Sequence, residues 1–99
     1  MKIKELLEYL KESGESFKFS GDENCEVGGF SSLKNYKEGT FTWIKKIESI
    51  PKGMDIGRCK LVVTQTGENI GCSNIIYTDS SKRVFFSLVE YFAETSNEV

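Results

Sequence analysis

The stretch Phe41-Thr42-Trp43-Ile44-Lys45-Lys46 holds the residue types best suited to chemistry. On a strand, Phe41 and Trp43 share one face, while Thr42 and Ile44 share the other. A Trp near a strand end can stack on a flat base, a contact worth about 1–3 kcal/mol. Lys45 and Lys46 would follow it with ammonium groups for a pyrophosphate, and Thr42 or Ser49 could hydrogen-bond the base or ribose. The competing reading makes Trp43 ordinary core and the lysines a solvated surface.

The rest of the chain is poorly supplied for catalysis. It contains no His, the commonest general base and metal ligand. Cys25, Cys59 and Cys72 form an odd set without CxxC spacing, whereas an oxidised framework uses an even number and a zinc site four close ligands. They are expected to be free thiols in a reducing cytosol. Cys72 lies in the loop-like Gly71-Cys72-Ser73, but no cationic or basic partner nearby would generate its thiolate. No catalytic residue, metal or cofactor is therefore expected. Gly28-Gly29 belongs to neither GxxxxGK[ST] nor GxGxxG, and a strand-ending turn with positive φ accounts for the pair.

Such residues need a scaffold, and 99 residues with 38% hydrophobic and 28% charged side chains suit one domain, 1–99, around one core. The net charge is -2, and the only adjacent basic pairs are Lys45-Lys46 and Lys82-Arg83. Nucleic-acid binders cluster basic residues against phosphates, so that class is excluded. No apolar run approaches the roughly 20 residues that cross a bilayer, and Met1-Lys2-Ile3-Lys4-Glu5 opens an amphipathic pattern rather than a signal sequence. A cytoplasmic chain is expected.

Ile3, Leu6, Leu7 and Leu10 fall on one face of a helix that Gly14 is placed to stop. Phe17 and Phe19 alternate with Lys18, a turn follows at 21–24, and Cys25 and Val27 resume the alternation, which predicts a hairpin. Thr40 to Ile44 reads as a strand, followed by a short amphipathic turn over 45–50 that Pro51 ends. Leu61-Val62-Val63 and Ile75-Ile76-Tyr77 are unbroken apolar runs, as in central strands covered on both faces. Asp79-Ser80-Ser81 offers caps for a last helix with the apolar face Val84, Phe85, Leu88, Val89 and Phe92, fraying from Ala93 onward. The expected fold is α/β, a mixed β-sheet packed by two main helices.

From Phe19 to Trp43 the chain resembles the N-terminal domain of the UDP-3-O-acylglucosamine N-acyltransferases of lipid A biosynthesis. Gly21-Asp22 precedes Val27-x-Gly29-Phe30-Ser31-Ser32-Leu33, then six residues ending in Gly39, then Thr40-Phe41-Thr42-Trp43-Ile44. The family's corresponding stretch reads I-x-G-V-(A/S)-x-(L/M), six residues of which the sixth is Gly, and a strand ending in Ser/Thr-Phe-Leu. Cys59-Lys60-Leu61-Val62-Val63 is similar to its small-x-A-V-V strand, and Ile75-Ile76-Tyr77 with the Val84 to Phe92 helix to its closing elements.

The resemblance implies a fold related to the first domain of some Mur ligases and a site for the uridine of a nucleotide sugar. In the family, a left-handed β-helix of hexapeptide repeats follows, carries the catalytic His, receives the acyl group from acyl carrier protein and forms trimers. That part is absent here, which implies either a piece of an acyltransferase using acyl carrier protein or acyl-CoA, or a free-standing relative. The family's uracil-stacking Phe falls at Trp43. Its uracil-contacting Asn falls at Lys46, its second stacking aromatic at Ser49, and the Pro that often precedes the last helix near Ser81. The resemblance thus implies one aromatic wall plus a cation, for a UDP-sugar or a related nucleotide sugar. Two other functions remain open: a structural or protein-interaction module that kept the fold but lost the pocket, and a stand-alone nucleotide-sensing regulator.

Overall fold

A computed structural model describes residues 1–96. Helix α1 (Ile3–Glu12) buries Ile3, Leu6, Leu7 and Leu10, the residues its spacing places on one face. The Glu5 carboxylate reaches back to accept from the Lys2 N–H at 2.8 Å, one of the donors a helix start leaves unpaired. Gly14 leaves the helix at φ 77°, a conformation that costs a side-chain-bearing residue more.

Strands β1 (Lys18–Ser20), β2 (Phe41–Ile44), β3 (Leu61–Gln65) and β4 (Ile75–Thr78) form one sheet in the order β1-β4-β3-β2. β2, β3 and β4 run parallel, and β1 is antiparallel to β4 with Phe19 opposite Ile76. The fold is a mixed sheet with two helices, as the sequence pattern predicts. Residues 45–60 and 66–74 make the parallel crossovers with no α-helix, only short 3-10 turns at Ile47–Ser49 and Ile56–Arg58.

Three expectations need correction. The hairpin does not form: β1 pairs with distant β4, while the 25–27 segment makes an isolated bridge from Glu26 to Lys2. The Val27 amide donates to the Met1 carbonyl at 2.8 Å, so α1's entry rather than β1 satisfies this backbone. Gly28 and Gly29 are not positive-φ residues; they lie beside β2, with Phe41 N–H donating to the Gly29 carbonyl at 3.0 Å. Helix α2 (Ser81–Ser96) also continues through Ala93 instead of fraying there, and the remainder of the expected frayed stretch, 97–99, lies outside the described residues.

Strand alternation divides the core in two. Phe41, Leu61, Val63 and Ile76 face α1 and α2, meeting Leu6, Leu10, Val84 and Leu88. Ile44, Val62 and Ile75 face the opposite way and are covered by Ile70, Cys59 and partly buried side chains such as Leu33, Tyr36 and Met54. Apolar runs in β3 and β4 thus have cover on both faces. No described helix is long and apolar enough to cross a membrane.

Candidate functional site

β2 is an edge strand, and its last residues open on two adjoining clefts. The first, about 530 Å³, lies along the β2 edge between α2 and residues 30–35. Phe30, Leu33, Trp43, Phe85, Phe86 and Val89 give it an apolar lining, and Thr42, Lys45 and Ser49 border it as well. The second cleft, about 570 Å³, lies at the carboxyl ends of β2 and β3 against the start of α2. Lys45, Gln65, Asp79, Ser81, Lys82 and Arg83 bring charged and polar groups to it. Trp43, Lys45 and Phe86 border both clefts, so the two meet around the indole.

Each of these side chains owes its place to local structure. Trp43 alternates with Thr42 along β2, which turns its ring toward α2, where it stacks on Phe85 at 6.4 Å with planes 23° apart. Its Nε1 donates to the Ser81 hydroxyl at 3.0 Å. Ser81 in turn donates to Gln65 Oε1 at 2.7 Å, and Gln65 Nε2 donates to the Asp79 carbonyl at 2.6 Å. This chain of bonds joins β2, β3 and the start of α2 and fixes the indole edge. Thr42 is fully buried, and its Oγ1 has no hydrogen-bond partner among the described residues.

Of the residues singled out from the sequence, Trp43, Thr42, Lys45 and Ser49 border the first cleft. Lys46 is exposed and borders neither cleft. Phe86 and Phe30, 49% and 41% exposed, are the walls that sequence reasoning missed. Phe86 lies 6.5 Å from Trp43 with its plane tilted by 59°, so the cleft has aromatic groups from three segments, not one wall. A signal for Phe86 existed: it stands outside the apolar stripe of its helix, where a solvent-facing aromatic has no core to join.

The charge around the second cleft is mainly positive. Arg83 is held by Glu15 at 2.7 Å, whereas Lys45 and Lys82 form no ion pair among the described residues. A ligand carrying negative charge would meet these ammonium groups beside the indole.

The thiols sit elsewhere. Cys59 and Cys72 each lie three residues before a partner of the Val62–Ile75 pair, and the Cys72 thiol donates to the Cys59 carbonyl at 3.2 Å. Burial, with the neighbouring Cys72 adding to it, pushes the Cys59 thiol up to about 11. Burial likewise raises Cys72 and the nearby Tyr36, whose hydroxyl donates to the Thr40 carbonyl and accepts from the Lys60 N–H, both at 3.1 Å. Thiols held protonated are weak nucleophiles, so this cluster supports packing rather than chemistry. No cluster of three or more His, Cys, Asp or Glu suited to a metal ion occurs among the described residues.

Comparison with protein-family models, curated proteins and solved structures found no match to this chain.

Proposed function

We propose that this domain binds a nucleotide sugar, a UDP-sugar in the first instance, with the base in the apolar cleft and the phosphates directed toward the cationic one. The observation that carries this reading is the junction of the two clefts at Trp43 and Lys45. A nucleotide has the same two-part character, a flat ring joined to a string of negative charge. The carboxyl ends of parallel strands are also where open α/β sheets commonly hold ligands. The resemblance in sequence to the acyltransferase domain points the same way. In a parent enzyme an acyl group would pass from a thioester donor to an amine or hydroxyl of the bound sugar.

Trp43 is the chain's single Trp, so its fluorescence reports on the proposed site directly. Titration with UDP and with UDP-N-acetylglucosamine is expected to change the emission saturably, and Trp43→Ala, followed by calorimetry, to weaken binding. A flat titration of folded protein up to millimolar ligand overturns the reading.

One observation favours a second reading, a protein-interaction module: Phe30, Ile47 and Phe86 are large apolar side chains left exposed. Such a module would show no rise in Tm with nucleotide.

A further inference from the structure

The apolar cleft has a polar floor that its walls do not explain. Phe41 uses both main-chain groups toward residues 29–31: its N–H donates to the Gly29 carbonyl at 3.0 Å, and its carbonyl accepts from the Ser31 N–H at 3.1 Å. Main-chain groups along a strand turn alternately to its two sides. Those of Thr42 therefore face β3, and those of Trp43 turn outward again. Beyond Ser31 no further main-chain hydrogen bond joins the covering segment to β2 among the described residues. The N–H and C=O of Trp43 are thus left side by side at the open edge, where the cleft lies.

A second polar group is present beside them. Thr42 borders the cleft, and its fully buried side chain carries a hydroxyl with no partner among the described residues. Buried polar groups are nearly always paired, so an orphan beside an open donor and acceptor marks a place for a ligand's polar atoms. A peptide strand is a poor fit, because β2 ends at Ile44 and within it only the Trp43 main-chain pair is open on this side beyond the Phe41–Ser31 contact. A planar heterocycle with a donor beside an acceptor on one edge suits a single pair, and the exposed faces of Phe86 and Phe30 supply stacking surface.

We propose that the open edge of β2 reads the edge of the base through the Trp43 main chain, with Phe86 of α2 as its stacking wall in place of an aromatic at position 49. This rests on the nucleotide reading above and assigns its recognition groups. It makes Phe86 a binding residue and gives the Trp43 backbone the part that an Asn side chain at position 46 would otherwise play.

The test uses calorimetry on the full chain with UDP and with its 3-methyluracil analogue, whose ring nitrogen has lost its proton. The methyl group is expected to lower affinity at least about tenfold, since it removes a donor and leaves the Trp43 carbonyl unpaired. Phe86→Ser is expected to lower UDP affinity about tenfold, and Phe86→Tyr to restore it. Phe86 is half exposed, so the variant's unchanged Tm serves as the folding control. UDP binding that is indifferent to the methyl group or to Phe86→Ser overturns this assignment while the nucleotide reading stands. No UDP binding by the unaltered chain overturns both.

Discussion

The indole N–H of Trp43 donates to the hydroxyl of Ser81 at 3.0 Å, tying the last part of the edge strand β2 to the first residue of α2. Ser81 is nearly fully buried, and its hydroxyl passes the connection on to Gln65 at the end of β3. Ser81→Ala removes the acceptor without adding volume and leaves the indole N–H without its partner. We expect a loss of about 1–2 kcal/mol in urea denaturation and a shifted Trp emission. Unchanged stability would mean that the bond does not hold the two elements together.

Phe41 and Phe86 offer a contrast within one aromatic cluster. Phe41 is fully buried and meets Phe85 at 5.7 Å and Phe92 at 6.1 Å, whereas Phe86 is 49% exposed. Phe41→Ala should cost about 3–5 kcal/mol through lost burial and the cavity left behind. Phe86→Ala should stay within about 1 kcal/mol, since most surface substitutions are nearly neutral. Comparable losses in the two variants, measured by denaturant unfolding, would contradict the division between core and cleft wall.

The pattern of legible and illegible features follows from the range of the forces involved. α1, β2, β3, β4 and α2 were legible because Ile3 to Leu10, Phe41 to Ile44, the two apolar runs and Val84 to Phe92 carry local periodicity. The pairing of β1 was not: alternation in Phe17 to Phe19 and in Cys25 to Val27 fits a hairpin equally well, and only the distant β4 decides the matter. The cleft was half legible. Trp43 and Lys45 announce themselves by type and spacing, but Phe30 and Phe86 reach the same place from segments far apart in sequence.

Gly21 is a point where a turn and a close approach coincide. Its φ is 136°, and a Cβ built there would lie 2.6 Å from the Ser73 carbonyl and still closer to the Asn74 side chain. Asn74 also accepts from the Asp22 N–H through Oδ1 at 2.8 Å and donates to the Lys60 carbonyl at 2.9 Å, so it has little freedom to withdraw. Gly21→Ala should destabilise by more than the roughly 1–2 kcal/mol of left-handed strain alone. Thermal unfolding checks this, and Gly14→Ala, where a Cβ meets nothing within 4 Å, should show the strain without the clash.

The buried thiol of Cys59 sets a pH dependence with a definite sign. Its folded value of about 11 lies above the ordinary 9.0, so between these limits the unfolded chain loses a proton that the fold keeps. The unfolded state then binds fewer protons, and stability falls as pH rises through that window. Below pH 9 both states are protonated and the contribution is fully present. The stability of the native chain relative to Cys59→Ala should therefore be constant at neutral pH and shrink from about pH 9 toward pH 11. A flat difference across that range would show that Cys59 titrates normally in the fold.

Thr42 tests whether the cleft holds polar recognition at the expense of stability. Its Oγ1 is buried without a partner, a state that costs about 1–3 kcal/mol relative to a paired or apolar equivalent. Val has the same branched shape and an equal liking for a strand, so Thr42→Val should fill the space and remove the orphan. We expect the ligand-free chain to gain about 1 kcal/mol in denaturant unfolding. The same variant should bind UDP more weakly, because the hydroxyl beside the Trp43 main chain is gone. A gain in stability with unchanged UDP affinity would leave the hydroxyl outside the recognition set and confine base reading to the strand edge. A loss of stability would show instead that the hydroxyl is already satisfied in the folded chain, and Thr42 would no longer mark the cleft as a ligand site.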